Sequence, residues 1–216
     1  MPKVKENEQM SKTKDRRGFS EYENLAFHPY NVMLVFVMMA IGMLFFGIMV
    51  AFIYTRVENG VLPIRLPWLF LVSTAVLLAC SHYLRKAKTA FENDEPALFR
   101  QTLVRTLWLT VAFLLVQIAA WAWLFSQNLD LKSGQGAGYL YLLSMLHFVH
   151  VLAGIPFLWL FLRKFNRQVQ MELGGQLFFS DPEKRLQLRL VSMYWHFLDG
   201  LWLLLVLFFL VNWLLQ

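Results

Sequence analysis

The chain has 216 residues, of which 58% are hydrophobic, 16% aromatic and only 16% charged. Soluble domains carry about a quarter charged residues, so the composition excludes an ordinary soluble enzyme, and the net charge of +6 has to be judged by its placement before it suggests nucleic acid. The one cysteine, Cys80, rules out an internal disulfide and a Cys-rich metal motif.

Residues 1–29 are polar and too charged for the apolar region of a signal peptide, and they are expected to form a flexible cytoplasmic tail. Beyond them, the runs 31–55, 66–84, 106–129 and 133–162 contain no Asp, Glu, Lys or Arg, and the run 190–216 contains only Asp199. A bilayer core of about 30 Å needs about 20 apolar residues in a helix. The expected fold is therefore an all-α integral membrane protein, 30–216, with five transmembrane helices near 32–54, 66–85, 104–126, 138–162 and 190–214. The first loop, "VENGVLPIRLP", holds Asn-Gly and two prolines, which are turn residues. In the second loop "NDEP" resembles a helix start, the third is rich in Gly, and in the fourth "SDPEK" forms a good cap for the last helix.

The basic residues alternate with the spans. The N-terminal tail holds six Lys and Arg, and the second and fourth loops five and six. The first and third loops hold two and one, so one side carries seventeen and the other three. This asymmetry places the N-terminus inside and the C-terminus outside. The charge is thus a topology signal, and it gives inside residues such as Arg85, Arg105, Arg163 and Arg189 the chemistry to meet anionic lipid head groups.

Ionisable residues within a span are costly and are candidates for function. The chain has His82, His147, His150, His196 and Asp199, with the neutral Gln117 beside them. In the fourth span Ser144, His147, Val151 and Gly154 share a helical stripe, with His150 next to it; Ser192, His196 and Asp199 form another stripe in the fifth. Small residues in such a stripe allow close helix approach. Counting about 1.5 Å per residue brings His150 and Asp199 to similar depths, so a hydrogen bond between them is expected if the two helices are neighbours. The simpler reading is packing: a buried histidine in a helix bundle is more commonly a satisfied core residue than a catalyst. His147 and His150 project from one side of one helix and do not supply the two axial ligands of one haem. Trp68, Trp121, Trp123 and Trp213 fall toward span ends, as an aromatic belt requires.

Two segments carry a family resemblance. Leu146-His147-Phe148-Val149-His150-Val151-Leu152-Ala153-Gly154 is similar to the Phe-His-x-x-His-Val-x-x-Gly of subunit III of the haem-copper terminal oxidases, and Tyr194-Trp195-His196-Phe197-Leu198-Asp199-Gly200-Leu201-Trp202 resembles its Tyr-Trp-His-Phe-Val-Asp-x-x-Trp. Ser73-Thr74 and Gln117 are weaker echoes, and five spans match the short bacterial form. The chain departs from the family at Ile41 and Ala120, where intramembrane glutamates are usual. The resemblance implies a non-catalytic accessory subunit of a respiratory oxidase in a bacterial inner membrane. It would pack against subunit I, assemble with subunit II, bind phospholipid and sustain proton uptake. It would hold no metal or cofactor, haem and copper belonging to its partners, and cytochrome c is preferred over quinol as donor to the complex. Two other classes compete. A haem-binding membrane anchor would use His82 and His196. A transporter would show broken helices or repeated halves, and the sequence has neither.

Overall fold

The computed structural model describes residues 29–61, 67–129, 134–169 and 178–214. The expected tail lies outside the described residues apart from Pro29, which opens the first helix. All regular structure among the described residues is helical: α1 (Pro29–Asn59), α2 (Trp68–Glu92), α3 (Pro96–Ser126), α4 (Gln135–Val169) and α5 (Pro182–Leu214). Each is long and apolar enough to cross a membrane, so the protein is a multi-pass membrane protein. Every helix outruns its apolar segment by several residues at one end or both. Backbone hydrogen bonding persists into the polar margin, because helix continuation does not require apolar side chains. α4 continues through Pro156.

Helix ends follow local chemistry. Gly60 (φ 61°), Asp94 (φ 55°) and Asn128 (φ 57°) adopt the left-handed backbone just past α1, α2 and α3, a conformation that Gly, Asn and Asp tolerate best. At the start of α5, Asp181 Oδ1 accepts from the Glu183 amide at 2.9 Å, and Pro182 follows the cap, as expected for "SDPEK". The start expected at "NDEP" falls at Pro96, but neither acid caps it with its side chain and none lies in its first turn.

Two compact units are distinguished, Met1–Ala40 and Ile41–Gln216. In the first, the described residues are the opening turns of α1. In the second, α2 packs on α3, α3 on α4, α4 on α5 and α5 back on α2, closing a ring of four helices. The part of α1 from Ile41 onward lies against α4 and α5. Phe52 meets Tyr139, Phe208 and Phe209 edge-on, Thr55 Oγ1 lies 3.0 Å from the Tyr139 hydroxyl, and Arg56 Nη1 donates to the Asn212 carbonyl and side-chain oxygens at 2.8 and 2.7 Å. At the basic end of the ring, Phe91, Phe99, Phe165, Phe178 and Phe179 form a mutually packed aromatic cluster. The outward surface is oily: Trp108 is 70% exposed and Met43 68%. In hydrocarbon, burying such groups gains little, and helix association depends on close packing and interhelical hydrogen bonds.

Candidate functional site at the α4–α5 contact

The α4 stripe faces inward as its spacing requires: Ser144, His147, Val151 and Gly154 are all buried. Gly154 is the closest contact. A Cβ built there would lie 3.0 Å from ring carbons of both Tyr194 and Trp195, so α5 approaches α4 over a bare backbone. One turn earlier, the Tyr194 hydroxyl donates to the His150 carbonyl at 2.9 Å. His147 is fully buried, its ring 5.0 Å from Trp202 and 5.7 Å from Phe113. Trp202 stacks on Phe70 at 5.4 Å, and its Nε1 donates to Thr74 Oγ1 at 3.1 Å. Through Trp202, all four helices of the ring meet in one layer. Neither ring nitrogen of His147 has a hydrogen-bond partner, nor has either amide atom of the fully buried Gln117 on α3. One turn from each, Trp121 Nε1 donates to Ser144 Oγ at 3.0 Å.

The expected pairing of His150 with Asp199 does not form. His150 Nδ1 donates to the Leu146 carbonyl of its own helix at 2.7 Å, and its ring lies 6.0 Å from Phe45 of α1. Asp199 turns toward α2 instead. Its Oδ2 lies 3.6 Å from Nδ1 of His196, and that nitrogen is 3.1 Å from Ser81 Oγ. The reason is angular. His147 takes the face of α4 that meets the core, and His150, nearly a full turn on, is swung toward α1, away from the α2 side where Asp199 lies. Depth alone does not determine a contact.

Asp199 also borders a small cavity inside the ring, with Leu77, Cys80, Thr110, Phe113, Val151, Trp195 and Leu198. Cys80 Sγ lies 3.6 Å from the Thr106 carbonyl and 3.5 Å from Thr110 Oγ1. Ser81 and Thr110 carry no chemical signal in the sequence, and Cys80 stands out there only as the one cysteine. The available signal was periodicity: Ser73, Leu77, Cys80, Ser81 and Leu84 fall on one helical face and are all buried. His82, one position on, is exposed and lies against Tyr83. Ser81, not His82, meets His196.

Ile41 and Ala120 both lie in the apolar core. Arg85, Arg105, Arg163 and Arg189 are exposed toward the basic end. The Arg105 guanidinium sits 5.5 Å from the Tyr83 ring centre and that of Arg163 5.1 Å from Trp159, while Arg100 Nε donates to Asn166 Oδ1 at 3.0 Å. Among the described residues, no three His, Cys, Asp or Glu side chains converge. No family model matches this chain, and no curated protein matches it.

Proposed function

We propose that this chain is a non-catalytic accessory subunit of a respiratory haem-copper oxidase, oriented with its N-terminus inside and its C-terminus outside a bacterial inner membrane. The observation that supports the reading best is the interlock of the two segments on which the resemblance rests. Gly154 lies beneath Tyr194 and Trp195, the His150 carbonyl accepts from Tyr194, and His147 packs on Trp202. Those residue types recur together in that family's penultimate and last helices, and here each meets its counterpart in one helix contact. In this reading the histidines fix the geometry of the contact. Subunit I is the direct partner, with subunit II beside it. The aromatic-backed arginines Arg105 and Arg163, with Arg85 and Arg189, suit phospholipid phosphates. Electron transfer, with cytochrome c as the preferred donor, belongs to the partner subunits.

Purification through a tag on this chain in mild detergent tests the reading. The expected result is co-purification with a larger haem-bearing subunit and with oxygen-consuming activity. A chain that travels without such a partner overturns it. So does a Soret band from this chain purified alone, which would favour the haem anchor through His82 and His196.

A further inference from the structure

We infer that His196 and Asp199 form a proton-binding pair inside the membrane, loaded from the α2–α5 face. The inference is independent of the proposed function and rests on three features of the geometry.

First, the two groups differ in access. The Asp199 side chain is 10% exposed and that of His196 37%. The imidazole lies at the outer surface of the helix ring and the carboxylate inside it. Second, they are close enough to exchange a proton with little motion. At 3.6 Å the separation is beyond a hydrogen bond but within ion-pair range, and a rotation of either side chain by a few tenths of an ångström closes it. Third, Asp199 Oδ2 has no hydrogen-bond partner although it is buried, and the residue borders the cavity with Cys80 and Thr110. A carboxylate held there without full satisfaction is costly, and protonation removes the charge.

The surrounding groups leave the proton few other places to go. On α2 the neighbours are Cys80, Ser81 and, one turn toward the basic end, Arg85; α3 contributes Thr110; α4 contributes Val151, which cannot titrate; α5 contributes His196. His196 stands seven residues past Arg189, about 10 Å along α5, and is the member of the pair nearer the basic end. The step is a balanced transfer. A proton from water at the basic end adds to Nε2 of His196, giving imidazolium. Nδ1 then releases its proton to Asp199 Oδ2, leaving a neutral imidazole beside a carboxylic acid. Ser81 Oγ is placed to donate to the Nδ1 thus freed. Emptying the site reverses these steps, and no other reactant is consumed.

The test is infrared spectroscopy of the full chain in lipid, titrated between about pH 4 and about pH 10. Wild type should show a carboxylic C=O band that rises and falls with pH and shifts on labelling with ¹³C-aspartate. Asp199→Asn should lose it, and Asp199→Glu should return a band that no longer shifts with ¹³C-aspartate, which identifies the site if the asparagine variant misfolds. His196→Gln should keep the band but move its midpoint by about one unit or more. A band absent at every pH, or one whose intensity never changes, overturns the proposal. A His196→Gln midpoint equal to wild type overturns the pairing.

Discussion

Gly154 shows how narrow the tolerance is at a single residue. In α4 any side chain there meets the Tyr194 and Trp195 rings, which are rigid and themselves packed. Gly154→Leu should lower the melting temperature in detergent and cost about 1–3 kcal/mol as an overpacking change, with Gly154→Ala showing the smaller effect; equal stability of all three would mean that the helices separate freely at this point. Trp202→Phe keeps most of the ring packing but leaves Thr74 without its donor. It should cost about 0.5–1.5 kcal/mol, and the double variant with Thr74→Val should cost less than the two single changes added together, since both remove the Trp202–Thr74 bond. Thermal unfolding of the single and double variants measures this coupling. The sequence marked His147 and Asp199 as unusual, because ionisable groups in oily runs stand out. It did not mark Ser81, because hydroxyls in membrane helices are common and usually bond back to their own helix, as Thr74 Oγ1 does to the Phe70 carbonyl.

At the scale of the element, α1 differs from the other four. Only 17% of its most apolar window is buried, against 33–39% for the rest. From Ile41 onward its hold on α4 and α5 depends on Phe52 packing and on the polar clasp of Arg56 with Asn212. Arg56→Ala should cost about 1–3 kcal/mol, because Asn212 loses a charged donor. The loss should appear as faster hydrogen exchange over residues 45–59, with exchange in α2 and α3 unchanged. Exchange rising equally everywhere would mean that the clasp supports the whole ring. The existence and order of the five helices were legible from charge-free runs. Their ends were not, since the helices continue into segments such as 86–92 and 163–169, where apolarity no longer marks them.

For the whole molecule, the prediction concerns orientation. In a Cys80→Ala background, a cysteine placed at Asn93, in the α2–α3 connection, should react with a membrane-impermeant thiol reagent only from the inside. A cysteine at Gly134, ahead of α4, should react only from the outside. The opposite pattern would contradict the charge asymmetry of seventeen against three. The ring closure of α5 onto α2 also makes the molecule's packing non-local, so truncating α5 should expose the faces of both α2 and α4 and leave the remainder unstable in detergent.

The sequence alone determined that five segments are long and apolar enough to cross the membrane, because the transfer cost of each residue into hydrocarbon depends on composition and is summed locally. It also determined that the α4 stripe faces inward, since a helical repeat is a local property. Only the tertiary structure decided the partners. Whether Asp199 meets His150 or His196, and whether Ser81 or His82 faces α5, depends on the rotation of each helix about its own axis. That rotation is set by the packing of Gly154, Trp202 and their neighbours on other helices, and no local pattern in the chain encodes it.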